Sequence, residues 1–196
     1  LIITYLNYKG ETINCVKSWK KNSITGILIL TGGTGLVGWG EQYISAPEAA
    51  IAIATGPFWF IAIDKKNWKK YLSDKWIPIG LAIGFVGLIM FLNGSFSTHH
   101  TIDNHPYSTR IIAFAVLAIS SIFWVVGALY SKNNPAQQST FMNISQQLIS
   151  AGVASLVIAL ISGEFLIFNI FEAPFQAWGG LLFLIFFGSI IAYISY

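Results

Sequence analysis

Two groups of residues in this chain have types and spacing that could do chemistry. The first is Gly33-Thr34-Gly35-Leu36-Val37-Gly38, a G-x-G-x-x-G pattern behind the apolar run Ile27-Leu28-Ile29-Leu30. At a strand-to-helix turn such glycines let the backbone approach a pyrophosphate, and the pattern would mark a nucleotide-binding oxidoreductase. The second is His99, His100, Asp103 and His105, imidazoles with a carboxylate that invite a metal reading. Their spacing matches no standard zinc pattern, so no metal and no cofactor is assigned. No Ser/His/Asp or Cys/His set with a shared site stands out, and the chain is not read as an enzyme. A membrane-embedded enzyme using the histidine loop is kept as the alternative.

The elements around the glycines decide between nucleotide and lipid. A dinucleotide fold needs an amphipathic helix after them and an acid about 20 residues on for the ribose. Instead, residues 49–63 carry no charge at all, and the next acid beyond Glu48 is Asp64, beside a lysine cluster. The same glycines suit a membrane helix, where Thr31/Gly35 and Thr34/Gly38 are small pairs four residues apart that admit a neighbouring backbone. Gly80/Gly84 is another such pair, and Gly188 a further packing position.

Composition points the same way. Of 196 residues, 55% are hydrophobic and 10% charged, with mean hydropathy +0.65; soluble domains carry about 25% charged residues. Six stretches have the roughly 17–25 apolar residues that span a bilayer core: 23–44, 46–63, 76–93, 111–130, 141–162 and 177–196. They do not alternate, which excludes a barrel. The expected fold is therefore all-α, a polytopic membrane helix bundle. All 11 Lys and Arg fall outside these spans, ten in alternate connections and Arg110 alone in the others. That asymmetry places the lysine-rich connections in the cytoplasm. The pI near 9.0 reflects lysines facing anionic lipid, and no nucleic-acid partner is expected. The single cysteine, Cys15, forms no internal disulfide.

Several pieces in order resemble EamA-type carriers of the drug/metabolite transporter superfamily. They include Gly35-Leu36-Val37-Gly38-Trp39-Gly40-Glu41-Gln42-Tyr43, Ala52 to Pro57, and Trp76-x3-Gly80-x3-Gly84-x2-Gly87. Farther on come Trp124-x2-Gly127-Ala128-Leu129-Tyr130-Ser131, Gln146-x-Leu148, Ser162-Gly163-Glu164, Ala177-Trp178, and Phe187-Gly188-Ser189-Ile190-Ile191-Ala192-Tyr193. Such carriers have ten helices in two inverted repeats. The resemblance implies that residues 1–93 are the end of helix 2 and helices 3–5, 94–110 an extracytoplasmic loop, and 111–196 helices 6–8 of the second repeat. On that alignment the chain is a fragment. Ser150-Ala151 stands where many relatives have two glycines, and the histidine loop is longer than expected.

The resemblance implies a secondary carrier of the inner membrane, exporting small metabolites, amino acids among them, by alternating access. Its partners would be a small-molecule substrate and the bilayer, with room for a homodimer. The candidate pathway residues follow partly from physics. Pro57, after Gly56, lacks an N–H and should kink its helix, and broken helices at the midplane are where carriers place substrate. Trp59 could supply a flat wall beside it. Glu41 is read as the carboxylate inside a span, near its outer end. Gln146 should bond between helices or face the cavity. Trp39, Trp124 and Tyr193 join the pathway as wall candidates, the last two on resemblance alone.

Overall fold

The computed structural model describes residues 16–73, 75–97, 107–136, 138–164 and 174–191, and every regular element among them is helical. The elements are α1 (Val16–Gly40), α2 (Ala46–Ile63), α3 (Trp68–Ser73), α4 (Trp76–Ser97), α5 (Tyr107–Asn133), α6 (Thr140–Ile161) and α7 (Phe175–Phe183, continued as Leu184–Ile191). Four of the described helices are long and apolar enough to cross a membrane: α1, α2, α6, and α5 over Ser108–Asn133. They account for four of the six expected spans. The stretch 76–93 falls in α4, which joins the preceding helix at a 101° bend and makes a fifth span if that pair counts as one. The stretch 177–196 runs beyond the described residues, and its apolar helix there, Phe175–Phe187, is shorter than a span.

Local signals explain the helix boundaries. Ser45-Ala46-Pro47-Glu48 is a capping box with proline in the first turn, and Glu48 Oε2 accepts from the Ser45 N–H at 3.0 Å. Ser139 Oγ accepts from the Met142 N–H at 3.3 Å and starts α6. Gly163, with φ of 73°, adopts the left-handed conformation that ends it. Within α1 the residues Ile27–Gly35 form a π-helix, wider than an α-helix.

The chain divides into two compact units, 1–23 with 136–196 and 24–135. In the first, buried amides join the start of α1 to α6. Asn22 Nδ2 donates to Gln146 Oε1 at 2.8 Å and to Asn143 Oδ1 at 2.9 Å, and the Ser23 and Ser150 hydroxyls bond at 2.7 Å. In the second, α5 packs along the π-helical part of α1 and along both halves of α2. Ile44, Ala49, Ala52, Ala113 and Leu117 form its core, with Val37, Tyr43 and Phe114 against them.

Burial does not sort by polarity as it does in a protein in water. Among the described residues, nine buried polar or charged ones stand beside ten buried hydrophobic ones, while Val153, Leu156, Leu160 and Ile161 of α6 face outward. Such a surface fits helices bathed in lipid, where polar side chains turn to one another. The fold is all-helical, with several long apolar helices compatible with a membrane bundle.

Candidate functional site

The G-x-G-x-x-G stretch lies inside the continuous helix α1, with no strand before it among the described residues. Its glycines therefore lack the strand-to-helix turn that presents backbone N–H groups to a pyrophosphate. The close backbone approaches occur at neighbouring positions. A Cβ built on Gly127 of α5 would lie 2.6 Å from Ile29 Cγ1, one on Gly40 2.9 Å from Leu117 Cγ, and one on Gly32 2.9 Å from Phe123 Cδ1. Among the described residues a Cβ at Gly38, Gly80 or Gly84 meets open space, and at Gly35 only the Leu30 carbonyl at 3.7 Å. Gly188 falls in the Leu184–Ile191 segment.

A cavity of about 820 Å³ in the 24–135 unit opens where α2 is interrupted. Helix Ala46–Ile53 ends at Ala54-Thr55 and restarts as Gly56–Ile63. Thr55 tightens that break: its hydroxyl donates to the Ala52 carbonyl at 2.6 Å, and its own carbonyl accepts from Phe58 N at 3.0 Å. Pro57 has no N–H to offer the Ile53 carbonyl, so the turn cannot close as an ordinary helix. Ile53, Gly56 and Pro57 form one wall of the cavity, with Gly33 and Thr34 of α1. Ser120, Ser121 and Trp124 of α5 line it as well, and a Cβ built on Gly33 would lie 3.3 Å from Trp124 Cδ1. Both serine hydroxyls donate back to the Leu117 carbonyl, at 2.7 and 3.2 Å, which leaves their oxygens as acceptors in a lining that is apolar apart from them, Thr34 and Tyr71.

Of the expected pathway residues, Pro57 and Trp124 are brought together at this cavity. Trp59 is on the same half of α2, with its indole N–H donating to Thr55 Oγ1 at 3.1 Å. Trp39 packs on Tyr43 with ring centroids 4.8 Å apart, and Glu41 sits exposed in the turn after α1. Gln146 belongs to the other unit, fully buried, accepting from Asn22 and donating to Gln138 Oε1 at 3.0 Å. Tyr193 lies outside the described residues, as do His99, His100, Asp103 and His105. No group of three or more metal-ligating side chains occurs among the described residues.

Two acids that the sequence reading left in connections are structurally central. Glu48 is buried in the first turn of α2 and pairs with Arg110 of α5 at 2.6 Å. The capping-box spacing was the signal for its helical position, but nothing local announces Arg110. Asp64, just past α2, accepts from Asn67 Nδ2 at 2.9 and 3.0 Å, from the Tyr71 hydroxyl at 2.8 Å and from Lys132 Nζ at 3.5 Å. The Asn67 bonds first, then Tyr71 and Lys132, hold its carboxyl below the usual range, and the same contact pushes the Tyr71 phenol up. Tyr71 and Phe60 also line the cavity, and Lys132 Nζ lies 5.8 Å from the centre of the Phe60 ring. The Asp64 cluster thus ties two wall residues to the end of α5.

Chemically, the site can bind and orient. It combines a flat indole, an opened helix turn and a few hydroxyl oxygens, and it offers no paired acid and base. Comparison of the chain with family models, with curated proteins and with solved structures finds no match to any of them.

Proposed function

We propose that this chain is part of a secondary carrier of the EamA type, exporting small metabolites across the inner membrane by alternating access. The observation that carries this reading is the cavity beside the interrupted helix α2. A bilayer-length helix broken at Ala54-Thr55, just before Gly56-Pro57, exposes its wall to an occupant at mid-depth. The lysine asymmetry supports a cytoplasmic side at Asp64 and Lys132, and an outer side at Glu48 and Arg110. The resemblance supplies the ten-helix inverted repeat, of which these helices would be part of both halves. An amphipathic solute, an amino acid among the candidates, fits a wall of indole and aliphatic carbon interrupted by Ser120, Ser121 and Thr34.

The test is export from cells expressing the protein, read with a panel of radiolabelled amino acids. Trp124→Ala should lower efflux of a transported compound at least several-fold with unchanged membrane abundance, and Pro57→Ala should alter its rate. If Trp59→Ala and Trp124→Ala both leave export unchanged, the cavity is not the pathway.

A further inference from the structure

The connection from α2 to α4 carries a second site, independent of the cavity. Lys65, Lys66, Lys69, Lys70 and Lys75 all fall in it, each exposed, and among the described residues none is in an ion pair. Of the two acids here, Asp64 is already held by Asn67, Tyr71 and Lys132, and Asp74 lies outside the described residues, so five lysines stand against two acids. The connection joins two apolar helices, so it must lie at the level of the lipid headgroups on the lysine-rich side. Its direction fits that level. The segment Lys65–Tyr71 makes 101° with Trp76–Met90, so with α4 crossing the bilayer, α3 lies along the surface. Trp68 fastens it there, its indole N–H donating to the Ile61 carbonyl at 2.6 Å.

Where α3 meets α4, Lys70, Ser73, Lys75 and Trp76 line an open recess of about 690 Å³. Two ammonium groups and a hydroxyl there are donors suited to a phosphate, with an indole at the edge. Below it an exposed apolar stripe runs down α4 through Trp76, Ile79, Ile83 and Met90. Their spacing of three, four and seven residues keeps them on one face of the helix. We propose that this recess binds the headgroup phosphate of an anionic phospholipid, with an acyl chain lying along the α4 stripe. The stripe selects a lipid over free phosphate, because a soluble ion makes no use of it.

The experiment is a native mass spectrometry titration of the purified protein in detergent, with phosphatidylglycerol against phosphatidylcholine. The wild-type chain should retain phosphatidylglycerol preferentially. Lys70→Gln/Lys75→Gln should weaken that retention about thirtyfold, roughly fivefold per lysine. Lys70→Arg/Lys75→Arg should keep it, and Lys17→Gln/Lys20→Gln, on the other basic segment, should leave it unchanged. Exposed substitutions of this kind leave the fold intact. The proposal is overturned if the Lys70/Lys75 glutamine pair binds as wild type, or if the Lys17/Lys20 pair weakens binding equally. Competition by glycerol 3-phosphate as effective as that of the lipid would also overturn it.

Discussion

Glu48 and Arg110, separated by 62 residues in sequence, meet at 2.6 Å through one oxygen of the carboxylate. The other oxygen, Oε2, accepts from the Ser45 N–H and hydroxyl at 3.0 and 2.9 Å. One side chain therefore starts α2 and ties it to the start of α5. At the other ends of the same helices, Asp64, just past α2, and Lys132, in the last turn of α5, meet at 3.5 Å. Start pairs with start and end with end, so α2 and α5 run parallel, pinned at both ends around the Ala49, Ala52, Ala113 and Leu117 core. The cavity lies along this pair, with Pro57 on one helix and Trp124 on the other.

The Glu48–Arg110 pair is partly sheltered, its side chains 11% and 27% exposed. Losing one partner of a buried pair costs about 3–5 kcal/mol, while exposed pairs contribute about 0–1 kcal/mol, so each single change here should cost about 1–3 kcal/mol. A double-mutant cycle of Glu48→Gln and Arg110→Gln, read by thermal unfolding in detergent, should give a coupling of about 1–2 kcal/mol. Strictly additive losses would mean that the contact contributes nothing.

How far this was legible in the sequence depends on range. Helix lengths were, because uncharged runs bounded by Ser45-x-x-Glu48 or by Lys132-Asn133-Asn134-Pro135 are local signals. The break in α2 was too, because Pro57 lacks an N–H whatever surrounds it. Which residues meet was not: Asn22 with Gln146 and Asp64 with Lys132 are contacts across 124 and 68 positions, invisible to any local period. Spacing drew attention to Gly35 and Gly38 of α1, whereas Gly32 and Gly40 are the ones closely approached. The rule of small residues four apart assumes an α-helix, and the wider π turn over Ile27–Gly35 rotates the contacting face away from it.

Gly127, the glycine of α5, should therefore be harder to replace than Gly38 of α1. An added methyl would sit 2.6 Å from Ile29 Cγ1 and 3.0 Å from Leu28 Cβ, close to the π-helix backbone. Gly127→Ala should destabilise by about 1–3 kcal/mol through overpacking. Gly38→Ala, which meets open space, should be neutral or gain about 1 kcal/mol of helix propensity. Thermal melts of the two variants in the same detergent check the order, and equal melting temperatures would refute this packing of α1 on α5.

Gln146 is a test of whether a buried amide serves packing or transport. It accepts from Asn22 at 2.8 Å and donates to Gln138 at 3.0 Å, with no part of it exposed. Gln146→Leu leaves those partners short of one bond each and should cost about 1–2 kcal/mol. Asn22→Leu together with Gln146→Leu should cost less than the sum, since an apolar pair leaves fewer orphaned groups. If Gln146→Leu abolishes export without moving the melting temperature, the residue acts on substrate and the amide network is not its purpose.

Asp64 should make the protein acid-sensitive. Its folded carboxyl is held below the ordinary aspartate value of about 3.9, first by Asn67, then by Tyr71 and Lys132. A lowered folded value means that the unfolded chain binds the proton more readily. The stabilisation is then complete above the ordinary value and is lost as pH falls through the lower, folded one. Melting temperatures measured from neutral to strongly acidic pH should thus drop more steeply below about pH 4 in the wild type than in Asp64→Asn. Because every other acid is common to both proteins, the difference between the two curves isolates Asp64. Parallel curves across that window would show that the cluster with Asn67, Tyr71 and Lys132 does not hold the carboxylate in its charged form.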